Sequence, residues 1–428
     1  MNAHINDKSS SVLNELKFDH HYFGSSWDLF HFEQHSPGMV FWHPRGFKML
    51  KKLEESSRKL YEAYHYQEVR SPQLLDQSLW VQSGHWEKYH THMFIVQNRE
   101  EMDESQSCKI QALKPMSCPG HIAIFKQSRR SYRELPYRLF EFGNVHRNEA
   151  SGALNGLFRL RNFVQDDSHL FLELHQIQNE VQHFIKMVQQ AYAWFDFKVE
   201  SYRIALRPEN RAGSDEDWDK AEEALRQACS SMHLPYEEAP GEGAFYGPKL
   251  EVGLKDRLGR LWQSGVMQVD FVLPKRFNLQ YMGSDGKFHQ PVMLHQAIFG
   301  SLERWMGIVL EHHGSHVPLW LSPEPLVILP VQKKESSELH QQSILEYAQS
   351  LQALARQDEI ALSLDVDDSP LKQRIKNAFE RQVPWVMIIG EQEVKQEKIS
   401  LRNRAGQQIE KSREDFFKEL KLWFKYPF

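Results

Sequence analysis

The chain has 428 residues, of which 41% are hydrophobic, 25% charged and 12% aromatic, the composition of a folded protein of two or three domains. Its 52 Lys and Arg against 57 Asp and Glu exclude bulk attraction to a polyanion, so any nucleic-acid contact must come from local basic faces. Three cysteines (Cys108, Cys118, Cys229) are too few for a disulfide framework, and no signal core or run of about 18 apolar residues occurs, so the expectation is a cytoplasmic protein without a membrane span.

Residues 1–17 are polar and read as a loosely attached tail. Ordered sequence is expected from about Leu29 to Phe32, with a turn at Ser36-Pro37-Gly38. Phe47, Leu50, Leu53 and Leu60 share one face of a helix predicted over Gly46 to Tyr64, and Tyr66 to Val69 reads as a strand. The acidic stretch Gln97 to Ile110 predicts a surface loop. From Tyr137 to Leu172, the runs RLFEFGNV, GLFRLRNFV and SHLFL read as strands. A long helix is expected from Leu174 to Phe195, then strands at Ser201 to Leu206, Lys249 to Leu254, Leu261 to Phe271 and Leu279 to Met282. Helical spacing places a further helix from His295 to His312. Strands broken by a few long helices predict an antiparallel α+β domain. Past Leu321-Ser322-Pro323-Glu324-Pro325, LVILPV, ALSLDV, WVMIIG and KISLRN alternate with helical segments, which predicts a small α/β unit of βαβαβ type. The expected division is therefore a tail (1–17), a first domain (18–322) and a second domain (323–428).

Between Arg129 and Arg161 lie seven arginines, no lysine and three glutamates. Such a cluster suits bidentate binding of a polyanion. A salt-bridged, solvated sheet face is the competing reading, and spacing leaves both open. Cys118 and His169 are metal-capable types, but with 22 histidines and no Cys-x-x-Cys pair spacing cannot choose ligands. No phosphate-binding P-loop, no G-x-G-x-x-G after a strand and no G-x-S-x-G elbow is present. A nucleotide would have to rest on antiparallel strands and arginines.

In chain order, YQEVRSPQLL, HRNEASGALNGLFRLRNFVQDDSH and GSLERWMG resemble motifs 1, 2 and 3 of the class II aminoacyl-tRNA synthetases. SGHW, LKPMSCPGH, RPENRAGSDEDWDKAEEAL, EGAFYGPK and PVMLHQAIFGSLER are similar to the threonyl-tRNA synthetase family in particular. The resemblance implies a class II antiparallel-sheet catalytic domain followed by an anticodon-binding domain. It implies that ATP and threonine give threonyl-adenylate, and that the threonyl group then moves to the 3′ end of tRNA-Thr. At matching positions it implies Arg147, Glu149, Arg159, Phe163, Gln263 and Arg304 around ATP. Met116, Gln165, Asp167, Tyr246 and Gln268 match threonine-binding positions, and Cys118, His169 and His295 match three ligands of one Zn²⁺. Arg147, Arg304, His85 and Lys249 match the catalytic positions, and Glu393, Arg402 and Lys376 the anticodon-reading ones. Mg²⁺ with ATP and a homodimer are implied as well.

The sequence departs from the family pattern at Asn162, Ser264, Val266, Gln296, Asp368 and Lys376. Only a short polar tail precedes Phe18, so the expectation is a form without a cis editing domain, which would pass on serine errors. Two other readings accompany the ligase: a paralogue activating threonine or a related β-hydroxy amino acid for a non-tRNA acceptor, and an inactive tRNA-binding regulator.

Overall fold

A computed structural model describes residues 19–97, 110–331, 337–358, 360 and 362–423. The expected tail and residues 98–109 of the acidic stretch lie outside the described residues. The chain divides into two compact units. One holds Phe32–Phe41 and Ser57–His312, and the other holds Trp42–Ser56 and the described residues up to His31 and from His313 onward.

The first unit is built on eight strands: β1 (Gln67–Glu68), β2 (Tyr137–His146), β3 (Asn162–Leu172), β4 (Val199–Ala205), β5 (Glu237–Ala239), β6 (Lys249–Lys255), β7 (Leu261–Asp270) and β8 (Val292–Ala297). Their order is β5-β4-β6-β7-β8-β3-β2-β1. The pairings are antiparallel except at the two edges, where β4–β5 and β1–β2 run parallel. Strand alternation gives this sheet two distinct faces. The back is covered by the helix Ile177–Ala193, whose Val181, Phe184, Ile185, Val188 and Tyr192 are buried at helical spacing. It comes so close to β7 that a Cβ on Gly265 would stand 3.1 Å from Val188 Cγ2, and the Gly265 N–H donates to the Tyr192 hydroxyl at 2.7 Å. On the front, the helix Cys118–Lys126 opens with Pro119 in its first turn, where the missing N–H costs nothing. It packs Ile122 and Phe125 against Leu139, Phe171 and Met293.

Two expectations need correction. The residues His295 to Ala297 end strand β8, and the helix begins only at Leu302. Every residue of β8 is buried, and a short run apolar on both faces carries no period that tells strand from helix. The segment GLFRL is not a strand either. Gly156, at φ +47°, starts a single 3₁₀ turn over Gly156–Phe158, and β3 starts at Asn162.

In the second unit, Leu326–Pro330 lies between Ser363–Leu364 and Trp385–Ile389 in parallel. Lys398–Asn403 and Gln408–Ser412 extend the sheet as antiparallel strands. A parallel return needs a crossover of a dozen or more residues, and the link Gly390–Glu397 with its helix Glu391–Gln396 is too short. The α/β expectation therefore holds up to Ile389, and a hairpin completes the sheet. Leu326 and Ile328 face the helices Glu338–Gln357 and Arg413–Trp423. Val327 and Leu329 face the helix Leu371–Glu380.

Candidate active site

Alternation along β3 places Phe163, Gln165, Asp167 and His169 on the front of the sheet. Register then builds a row across the strands, because His169 pairs with His295, His295 with Gln268, and Gln268 with Lys249. The helix Cys118–Lys126 carries Cys118 over this row. The donor atoms of Cys118, His169 and His295 lie within 4.8 Å of one another, all three buried. His169 Nε2 and His295 Nδ1 are 3.1 Å apart, close to the roughly 3.3 Å edge of a zinc tetrahedron with bonds of about 2.0–2.1 Å. The outer nitrogens are both engaged: His169 Nδ1 with His121 Nδ1 at 2.8 Å, and His295 Nε2 with Asp270 Oδ2 at 2.9 Å. Burial pushes the Cys118 thiol up and the His169 imidazole down. A thiolate and two neutral imidazoles are a zinc donor set.

These residues floor a chamber of about 140 Å³ whose lining also includes Met116, Asp167, Tyr246 and Gln268. The Ser117 N–H donates to Asp167 Oδ2 at 3.1 Å, and burial raises the Asp167 carboxyl to about 6. Arg147, Gln165, Val266 and Ala297 line both this chamber and a larger cleft of about 710 Å³. Glu149, Arg159, Phe163, Trp262, Gln263 and Arg304 line the larger cleft. The Arg147 guanidinium sits over the Phe163 ring at 5.1 Å and Arg304 over Trp262 at 5.5 Å. The Nε of Arg304 is buried without a hydrogen-bond partner among the described residues. Burial, and then Arg159, depress the Arg304 guanidinium. Three guanidinium groups therefore face a cavity whose carboxylate, Glu149, is occupied by Arg159 at 3.0 Å.

Of the seven clustered arginines, Arg147 and Arg159 line the cleft. Arg138 forks onto Glu180 at 2.7 Å, and Arg130 lies on the Tyr137 ring and pairs with Glu134, so both readings of the cluster describe part of it. His85 and Lys249 line neither cavity. His85 is buried with Nε2 3.9 Å from Cys118 Sγ, and burial takes its imidazole down to about 4. Lys249 pairs with Glu251 at 2.8 Å. Among the departures, Val266 pairs across strands with Ala297, and Ser264 donates to the Phe299 carbonyl at 3.2 Å. The Gln296 side chain turns to the back of the sheet, where it accepts from the Tyr66 hydroxyl at 2.9 Å. The Asn162 amide binds Asn144 and the Val145 carbonyl.

Sequence reading missed His121 and Asp270, and also Asp166. The Asp166 carboxylate accepts from the Ile298, Phe299 and Gly300 N–H groups at 2.8–3.0 Å. It thereby holds the turn that aims Arg304, with Gly300 at φ +71°. In the second unit, Lys376 and Arg402 line one cleft. The Glu393 carboxylate is held by the Gly390 N–H and the Ser400 hydroxyl, and it does not line that cleft. Among the described residues, no helix is long and apolar enough to cross a membrane.

The chain is similar to known proteins over both of its units. Residues 101–313 match the class II tRNA synthetase core domain (G, H, P, S and T), and residues 326–423 match an anticodon-binding domain. A threonine–tRNA ligase of Legionella pneumophila (strain Corby) is 44% identical over 390 residues, 91% of this chain and 59% of that protein. One from Polaromonas naphthalenivorans is 43% identical over 393 residues, 92% of this chain and again 59% of the relative. The chain thus spans somewhat over half the length of the curated relatives it matches. Among solved structures, the RNA binding domain of threonyl-tRNA synthetase from Cryptosporidium parvum Iowa II superposes with TM-score 0.87 at 36% identity, over 95% of this chain and 98% of that one.

Proposed function

This chain belongs to the threonyl-tRNA synthetase family of class II aminoacyl-tRNA synthetases, and on that premise we propose that it is a threonine–tRNA ligase. The observation that carries the reading is the union of two cavities. A small chamber floored by Cys118, His169 and His295 shares Arg147, Gln165, Val266 and Ala297 with a large cleft lined by arginines. An amino acid in the first and ATP in the second would meet at Arg147.

Activation requires a carboxylate to attack the α-phosphate while pyrophosphate leaves. Negative charge grows on the phosphate oxygens, and fixed guanidinium groups stabilise it without reorganising. Arg147 would hold the attacking carboxylate against the α-phosphate, and Arg159 and Arg304 the leaving phosphates. Phe163 would stack on the adenine with Glu149 and Gln263 at its rim. Among the described residues, the one carboxylate lining the cleft is tied to Arg159, so the fit is to Mg²⁺ brought in on the phosphates rather than held in a protein cage. Zinc on the three soft donors would offer open positions to an amine and a β-hydroxyl. Asp167 and Gln268 would hold the threonine, with Gln165, Tyr246 and Met116 shaping its chamber. His85 would act near the acceptor ribose in the second step, and Lys249 near the nucleotide or substrate. Residues 18–322 would form the catalytic domain and 323–428 the anticodon-binding domain, with Glu393, Arg402 and Lys376 reading tRNA-Thr. A cytoplasmic homodimer completes the proposal.

The test is pyrophosphate exchange with each amino acid, followed by charging of transcribed tRNA-Thr. Exchange with threonine above all others and threonylation of tRNA-Thr are expected. Exchange without charging would remove the tRNA from the reading, and no exchange would remove the enzyme.

A further inference from the structure

Lys376 and Arg402 share their cleft with a residue from a distant part of the sequence. The short helix His20–Ser26, capped by the Asp19 side chain, brings Tyr22 to the rim of a cavity of about 890 Å³. The volume lies within the usual range of ligand sites. Tyr22 is 49% exposed. One wall of the cavity is the apolar face of the helix Leu371–Glu380, with Leu371, Ile375 and Phe379. Among the described residues, Lys372, Lys376, Arg402 and Arg404 bring four cations to the lining against the single carboxylate of Glu380. The Nε of Arg402 and the Oε1 of Gln382 are buried with no partner among the described residues. The site therefore combines an exposed ring and excess positive charge with one donor and one acceptor left unpaired beside them.

Each of these features narrows the occupant. A free phosphate would use the cations but not the ring or the unpaired acceptor. An apolar peptide would use the ridge but not four positive charges. An unpaired nucleobase on its phosphate backbone uses all of them, through its flat face, an edge carrying donors and acceptors, and its anionic linkage. Arg404 donates to the Phe379 carbonyl, so cation and ridge form one wall, with Tyr22 lining the same cavity.

We propose that Tyr22 is a stacking platform for an unpaired base of the anticodon loop, seated between the helix His20–Ser26 and the Lys376–Arg402 edge. The proposal rests on the reading of the chain as a tRNA ligase. Stacking on an aromatic side chain tolerates different bases. The role of Tyr22 is thus affinity, with base choice left to groups such as Arg402 and Gln382.

The experiment compares wild type, Tyr22→Phe, Tyr22→Leu and Tyr22→Ala in the full chain. It measures threonylation of tRNA-Thr and binding of a fluorescent anticodon stem-loop RNA. Tyr22→Ala is expected to raise the KM for tRNA about tenfold or more, with the loss falling on KM rather than kcat and a parallel loss of stem-loop affinity. Tyr22→Leu should lose as much, because it keeps bulk but not a flat π face, and Tyr22→Phe should keep most of the binding. Unchanged melting temperatures show that the fold is intact. Wild-type KM and stem-loop affinity in Tyr22→Ala would overturn the stacking role and leave the ligase reading standing, as would full rescue by leucine. A wild-type chain that neither charges tRNA-Thr nor binds the stem-loop would remove both.

Discussion

Asp270 Oδ2 and His295 Nε2 are joined at 2.9 Å, and this bond decides which nitrogen of His295 is left for the chamber. Asp270 is itself fixed, since its other oxygen accepts from the Val272 and Leu273 N–H groups at 2.7 and 3.0 Å. On the opposite side His121 plays the matching part for His169. Outer partners of this kind orient metal-binding imidazoles and raise their basicity. Asp270→Asn preserves the shape but exchanges a charged acceptor for an amide. Zinc affinity, measured by competition with a chromophoric chelator, should fall about 10–100-fold. An unaltered affinity would show that the carboxylate serves only the helix start that follows it.

The metal itself is expected at one ion per chain. Cys118→Ala removes the sulfur donor and should leave the purified protein without zinc by elemental analysis. Threonine-dependent pyrophosphate exchange should be lost with it, while ATP binding in the arginine cleft persists. A metal-free protein that activates threonine at full rate would contradict the assignment of the triad.

The distance at which these partners act explains what the sequence could and could not disclose. The strands Tyr137–His146 and Lys398–Asn403 were legible because alternation and turn residues are local signals. The two-sided burial of Val292–Ala297 erased that signal and let a helix be expected there. His295 lies 126 residues from His169 along the chain, so only the resemblance to a known family could join them. Asp270 and His121 are 25 and 48 residues from their partners, in segments whose motif residues drew attention to Gln268 and Cys118 instead. The arginine cluster was visible as composition. Which of its members turn to the cleft follows from the 3₁₀ turn at Gly156 and from the side-chain pairing of Arg138 with Glu180, neither of which composition can disclose.

Arg304 enters the cleft with its Nε buried and unpaired among the described residues, a donor waiting for an anion. Loss of one preorganised donor to developing charge costs about 10²–10³ in kcat. Arg304→Ala should therefore lower the kcat of threonine-dependent exchange by that factor, with the melting temperature preserved. Arg304→Lys should recover little, since an ammonium has neither the planar fork nor the stacking on Trp262. An alanine variant within threefold of wild type would take Arg304 out of the phosphate site.

Val266 and Ala297 face each other across β7 and β8 and line both cavities. They are the apolar wall that a threonine methyl group would meet in the chamber. Serine carries the same amine and hydroxyl toward the metal and lacks only that methyl. One methyl in an apolar pocket is worth about 1–3 kcal/mol, or roughly 10–200-fold in kcat/KM. Valine keeps the methyl and has no hydroxyl, and a site built to bind a hydroxyl rejects such an analogue by about 10⁴–10⁵. The expected order in pyrophosphate exchange is thus threonine over serine over valine, with the first gap much smaller than the whole range. Val266→Ala takes away part of the wall that threonine uses and serine does not. It should lower kcat/KM for threonine about tenfold, change serine little, and so narrow the ratio between them. A Val266→Ala enzyme with an unchanged threonine-to-serine ratio would show that the methyl packs elsewhere, and that Val266 has no part in the choice.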